Sequence, residues 1–241
     1  MASNIRGLLN QLSVKYDMRS LIFWEVAFGM VLSVFLMFMF LSVSSAVLDN
    51  QTLNFDTTIS QVIYAQRQPW LKNPMIIVSL MGEQMIIVLA ILIVALLTSK
   101  KHKKESMVFL ILLVMGLIAT SLLKLFFKVP RPDGFALVPV NSYSFPSGHA
   151  LNSMLFYGVL AYFAFHFTKS KKISAIALVG FLMIVFLIGV SRIYLGVHRP
   201  SDVIAGYIFG FWLMITVILI DKTITYFKLI NEPKNSQPQP K

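Results

Sequence analysis

The chain has 241 residues, 57% of them hydrophobic and 13% charged, with a mean hydropathy of +0.75, a balance that excludes an ordinary soluble domain and fits a polytopic membrane protein. Its formal charge of +11 does not call for nucleic acid, because Lys and Arg lie in short segments between long apolar runs, where orientation in a bilayer accounts for them. With no cysteine, a disulfide framework, a thiolate nucleophile and a thiolate metal site are excluded.

Residues 1–20 place Ile5, Leu8, Leu9 and Leu12 at helical spacing among polar residues, which predicts an amphipathic helix on the inner membrane surface or a partly ordered tail. A bilayer core is crossed by about 20 apolar residues in a helix. Six segments reach that length: Leu21 to Val47, Pro74 to Leu97, Met107 to Phe127, Ala150 to Phe167, Ile173 to Val190 and Val203 to Ile220. They must be helical because the hydrocarbon offers the backbone no water. The first is too long for a cleaved signal and is expected to be retained as an anchor. The expected fold is therefore an all-α bundle of six transmembrane helices over 21–223, with a cytoplasmic tail over 224–241. The stretch from Asn231 on is rich in Pro, Gln, Asn and Lys and is expected to be disordered.

Fourteen of the 21 basic residues fall on the side of the termini: Arg6, Lys15 and Arg19, then residues 100–104, 169–172 and 222–241. The other seven are Arg67, Lys72, Lys124, Lys128, Arg131, Arg192 and Arg199. The positive-inside rule thus puts both termini in the cytoplasm and turns loops 48–73, 128–149 and 191–202 outward.

Ionisable residues at membrane depth are costly and mark candidate sites, and three segments bring them to the outward side. Lys124 and Arg131 are seven residues apart, nearly two helical turns, on one face and about 10 Å apart along the axis. Pro130 and Pro132 end that helix. A snorkelling Lys and an interfacial Arg are the plain alternative. In Pro146-Ser147-Gly148-His149 a turn precedes an apolar helix, so the N–H groups of Ser147, Gly148 and His149 can face an anion and His149 can give a proton to a leaving oxygen. A Ser N-cap beside an incidental His is the plain alternative. In the segment Ser191 to Asp202, His198 and Asp202 are four apart, so one helical turn lets the carboxylate hold the imidazole toward a substrate. Asp202 can also serve as a charge at the N-terminus of the last helix.

Together these segments read K-x6-RP, PSGH and SR-x5-H-x3-D over residues 124–202, about a third of the chain, without gap or substitution. That pattern resembles the type 2 phosphatidic acid phosphatase family, also called lipid phosphate phosphatases, and the six-span layout is similar to the family's bacterial membrane members. The resemblance implies that His198 is a nucleophile forming a phosphohistidine, that Asp202 orients it and that His149 is the general acid. It assigns the phosphate clamp to Lys124, Arg131 and Arg192, with Ser147 and Gly148. Expected substrates are membrane lipid phosphates such as undecaprenyl diphosphate, phosphatidylglycerophosphate or phosphatidic acid. Alternatives are transfer of the phosphoryl group to a non-water acceptor, or a non-catalytic transport or lipid-binding protein; the family's soluble haloperoxidases are a poor match for six spans.

Phosphoryl transfer needs its oxygens neutralised. The outward segments offer three cations and N–H donors but no cluster of carboxylate and His at metal-ligand spacing, so no metal or cofactor is expected. Glu83, just inside the second span, faces the site or the substrate entrance, or else pairs with Lys72 or another basic side chain. Glu25 is expected at interfacial water or a basic partner, while His102 and His166 lie on the inner side, away from the chemistry. Trp24 and Trp70 fit an interfacial aromatic belt.

Overall fold

The computed structural model describes residues 2–168 and 170–231, and among them the chain is entirely helical. The elements are α1 (Ala2–Leu48), α2 (Leu53–Ala65), α3 (Pro69–Leu80), α4 (Gln84–Ser99), α5 (Lys103–Phe127), α6 (Gly148–Phe167), α7 (Lys171–Tyr194) and α8 (Pro200–Asn231). Six stretches are long and apolar enough to cross a membrane: Ser20–Leu48, Pro69–Ser99, Lys103–Phe127, Gly148–Phe167, Lys171–Tyr194 and Pro200–Ile224. They match the six spans read from the sequence. Phe126 is 76% exposed and Phe28 72%, whereas Asp202 and Ser153 are 0% exposed. Apolar side chains outside and polar ones inside are what a bilayer solvent selects.

Three features depart from the simple span map. The second span is broken: α3 ends at Leu80, residues 81–83 form a turn, and α4 begins at Gln84. The turn is tightened by short-range bonds, Gly82 N–H to Ser79 O at 2.9 Å and Glu83 N–H to Leu80 O at 3.3 Å. Gly82 belongs there because a Cβ would meet Ile188 Cγ2 at 2.6 Å, so only glycine admits α7 this closely. The outward segment 48–73 holds a helix, α2, which no long apolar run announces. At the other end of the chain, α8 continues through residues 224–231, where no Gly or Pro intervenes before Pro233; of the stretch expected to be disordered, Asn231 is the last helical residue and 232–241 lie outside the described residues. The backbone of the proposed amphipathic segment is helical and continuous with the first span, and its side chains lie outside the description.

The chain divides into two compact units. In the smaller, which takes in residues up to Phe35 and from Ile215 on, Glu25 Oε2 pairs with Lys222 Nζ at 2.7 Å, giving Glu25 the basic partner expected for it. Ser33 and Thr216 share a hydroxyl contact of 3.3 Å. The larger unit, Leu36–Met214, holds all the motif residues. Within it α6 packs against α5 and α7, α3 against α7, and α4 against α5. Glycines let α8 lie close on α6: a Cβ on Gly206 would stand 2.6 Å from the Ser147 carbonyl oxygen and 2.9 Å from Ala150 Cβ. Backbone cannot yield as a side chain does. Gly206→Val is therefore expected to destabilise the fold by about 1–3 kcal/mol and to lower the melting temperature of the detergent-solubilised protein.

Candidate active site

Four helix ends meet at one end of the larger unit: the C-termini of α5 and α7 and the N-termini of α6 and α8. The turn between α4 and α5, with Lys100, Lys101 and His102, is at the other end of those helices; His102 contacts Glu105 there, and His166 stacks on Tyr162. Both histidines are thus remote from the motifs, as the sequence predicts.

Two buried anchors fix the helix ends. Asp56 of α2, 3% exposed, accepts from Ser201 N–H and from Ser201 Oγ–H, each at 2.8 Å, placing a carboxylate at the α8 N-terminus where the helix dipole favours it. Arg67 donates to the Tyr194 carbonyl from Nε at 2.9 Å and from Nη2 at 2.7 Å, and stacks on Tyr64, its guanidinium carbon 3.9 Å from the ring centroid. It thereby satisfies an orphan carbonyl at the end of α7. Gly196, at φ +71°, then turns the chain toward His198, passing against the Phe135 carbonyl where a Cβ has no room.

His198 is 1% exposed, and its two nitrogens face different partners. Nδ1 lies 3.4 Å from Asp202 Oδ2 and 3.4 Å from Ser144 Oγ, while Nε2 lies 3.4 Å from Arg131 Nη1. Asp202 Oδ2 also accepts from Ser144 Oγ–H and, at 2.8 Å, from Arg199 N–H. A carboxylate so furnished with donors holds Nδ1–H and leaves the Nε2 lone pair toward the cavity. Burial pushes the His198 imidazole well below the ordinary histidine range, and the cations Arg192, Arg131 and Lys124 push the same way.

The cavity, about 520 Å³, is lined by Lys124, Arg131, Arg192, Gly148, His149 and His198, with Glu83 and Asn152 at its side. Serine hydroxyls and carbonyls aim the cations. Lys124 Nζ donates to Ser142 Oγ at 3.2 Å, as does Arg131 Nη2 at 3.0 Å; Arg131 Nε donates to Ser142 O at 2.6 Å. Arg192, 5% exposed, donates from Nη1 to Ser79 Oγ at 2.6 Å. The helix before Arg131 ends at Phe127, with Lys128 in the left-handed conformation at φ 51°, so the chain turns before Pro130 is reached. Among the described residues no group of three or more His, Cys, Asp or Glu is placed to hold a metal ion.

The motif residues therefore converge, with two differences from expectation: Arg131 lies in the loop beyond α5 and not on the helix face that carries Lys124, and Ser147 does not face the cavity. Ser147 is fully buried behind the cavity wall. Its N–H, expected to face an anion, donates to the Asp202 carbonyl at 3.0 Å, and its hydroxyl caps α6 by accepting from Ala150 N–H at 3.5 Å. Gly148 and His149 do line the cavity. Ser142, Ser144 and Ser79, whose hydroxyls hold the cations and the carboxylate, carry no signal in the sequence. Glu83, for which the sequence allows more than one partner, has its Oε2 3.0 Å from His149 Nε2.

Residues 84–226 match the PAP2 superfamily. The chain is 33% identical over 202 residues to the phosphatidylglycerophosphatase B of Bacillus subtilis, covering 81% of this chain and 97% of that one. It is also 33% identical over 133 residues to a lipid A 1-phosphatase of Rhizobium johnstonii, covering 51% of this chain and 50% of the relative. The crystal structure of a transmembrane PAP2-type phosphatidylglycerolphosphate phosphatase from Bacillus subtilis has the same fold, with a TM-score of 0.74 at 31% identity over 80% of this chain and 96% of that one.

Proposed function

The chain belongs to the PAP2 superfamily, and from that premise we propose that it is a multi-pass membrane phosphatase that hydrolyses a lipid phosphate through a phosphohistidine on His198, without a metal ion. The observation that carries the reading is the division of labour on one buried imidazole: Nδ1 turned to Asp202, Nε2 turned to a cavity walled by Lys124, Arg131 and Arg192.

The chemistry follows from that arrangement. The cations and the Gly148 end of α6 neutralise the phosphoryl oxygens. Nε2 attacks phosphorus, the bond from phosphorus to the leaving oxygen breaks, and His149 protonates that oxygen. The ring of His198 gains positive charge as the P–N bond forms, and Asp202 offsets it. Water, deprotonated by the now neutral His149, then attacks phosphorus and breaks the P–N bond. Phosphate leaves and both rings return to their starting forms. Three cations supply the charge that a metal supplies in other phosphoryl-transfer sites.

A lipid substrate is supported by a second cavity of about 490 Å³, walled by α4 and α5 with Ile87, Ile91, Val94, Leu110 and Val114. It shares Glu83, Leu117 and Asn152 with the phosphate cavity, so an alkyl chain and its headgroup fit side by side. The names of the relatives favour phosphatidylglycerophosphate or a related lipid phosphate, with undecaprenyl diphosphate and phosphatidic acid as the further members of the class. The 14-to-7 basic bias supports cytoplasmic termini and a site on the extracytoplasmic face.

The test is phosphate release in detergent from these three lipids, with excess chelator throughout. Release at full rate in chelator is expected for at least one of them. Loss of activity on chelation would overturn the metal-free mechanism, and silence on all three lipids would overturn the substrate class.

A further inference from the structure

The turn at residues 81–83 breaks a span whose composition would let it run straight, and it does so beside His149. A Cβ on Gly82 would stand 3.3 Å from His149 Cδ2, so the turn packs directly on the imidazole. Tyr157 Oη donates to the Met81 carbonyl at 3.0 Å, which ties the turn to α6, the helix that carries His149. Glu83 follows, half-exposed at the cavity edge, with Oε2 3.0 Å from His149 Nε2.

The charges around that imidazole are otherwise cationic: Lys124 from α5, Arg131 from the following loop and Arg192 from α7 line the same cavity, with the imidazole of His198 opposite. Asp202 of α8 is fully buried and bonded to Ser144 and the Arg199 N–H, on the far side of His198. A general acid must have its ring held so that a proton reaches the leaving oxygen. Glu83 is the carboxylate that meets it.

We infer that Glu83 is the positioning residue of the general acid: its carboxylate receives the Nε2–H of His149, fixes the ring, and sets a negative charge against the imidazole until leaving-group departure. When the P–O bond breaks, the Nδ1 proton of His149 passes to the leaving oxygen, the ring becomes neutral with its Nε2–H still on Glu83, and Glu83 remains a carboxylate. The inference rests on the proposed function, in which His149 is the acid.

The experiment compares kcat/KM for a short-chain phosphatidic acid, whose alkoxide leaving group must be protonated, with that for p-nitrophenyl phosphate, whose leaving group departs without a proton. Because kcat/KM reports only steps through leaving-group departure, later hydrolysis of the phosphoenzyme does not enter. Glu83→Gln keeps the size and an acceptor oxygen while removing the charge. The ratio of lipid to aryl kcat/KM is expected to fall about 10- to 100-fold, at or below the lower end of what a proton-transfer catalyst contributes, because the acid itself remains. His149→Ala should lower the same ratio, and the double variant should be no worse than His149→Ala alone. Equal losses on both substrates, no loss on either, or additive losses in the double variant would overturn the inference while leaving the phosphatase reading intact. If phosphatidic acid is not turned over, phosphatidylglycerophosphate, whose alkoxide also needs a proton, takes its place; a wild-type protein silent on all three lipids would remove that reading, and this inference with it.

Discussion

Phosphate release is expected to fall by about four orders of magnitude or more in His198→Ala, because the variant loses the group that forms the covalent bond and the remaining cations can only bind the substrate. The matching measurement is chemical. Wild-type protein quenched in base during turnover of a lipid labelled in its phosphate should retain label on the polypeptide, stable to alkali and lost in acid, as a P–N bond requires; His198→Ala should retain none. The nucleophile needs a free lone pair on Nε2, and the depressed pKa of the buried ring leaves it neutral at ordinary pH. Since the native ring resists a proton that the unfolded ring accepts below about 6.5, two consequences share one sign. The acid limb of kcat/KM due to this group lies below pH 6.5, and this residue makes the folded protein lose stability as the pH falls below that value. His198→Ala is expected to flatten that acid loss of stability. An alanine variant that still released phosphate within tenfold of wild type would end the covalent mechanism.

The six spans and the three motifs were legible because their signals are strong and of different kinds. Apolar length alone marks a membrane helix, and fixed spacing of costly residues such as Lys124, Arg131, Arg192, His198 and Asp202 marks a site. What escaped is what carries neither signal. Ser142, Ser144 and Ser79 act through single hydroxyls on segments distant in sequence from their partners, and serine is common enough in loops and helices that no spacing sets these three apart. Asp56 works by meeting Ser201 across 145 positions, a contact that depends on α2 being a helix, and α2 is short and half polar. The break at Gly82 was visible only as one glycine beside one glutamate in an apolar run, a pattern that a straight helix tolerates at about 1 kcal/mol. Ser147 shows the opposite case: it stands inside a motif, yet its N–H faces the Asp202 carbonyl because the N-termini of α6 and α8 are packed together through Gly206.

Asp202→Asn is expected to lower kcat by about two to four orders of magnitude while shifting KM little, by the logic that a misheld imidazole tautomer disables a nucleophile or base. Two roles for this carboxylate have to be separated. Arg199 and Asp202 are the N-cap and third residues of α8, and the Arg199 N–H bonded to Oδ2 at 2.8 Å is the backbone half of a capping box. An amide oxygen can accept that bond, so capping survives the substitution. The catalytic role does not. Oδ2 receives donors from Ser144, Arg199 and His198 Nδ1, and the amide must either set an NH2 against them or send it to the fully buried Oδ1 position, which has no hydrogen-bond partner among the described residues. Either placement costs about 1–3 kcal/mol. In neither does the residue carry the negative charge that offsets a His198 ring becoming cationic on phosphorylation. Turnover should therefore fall far more than stability does. Ser144→Ala, which removes one donor and leaves the charge, is expected to cost only about tenfold in kcat, in line with a single hydrogen bond to a charged group. If Asp202→Asn instead melted several degrees lower in detergent yet kept its kcat within tenfold, the carboxylate would be a helix cap and the imidazole of His198 would need another orienting group.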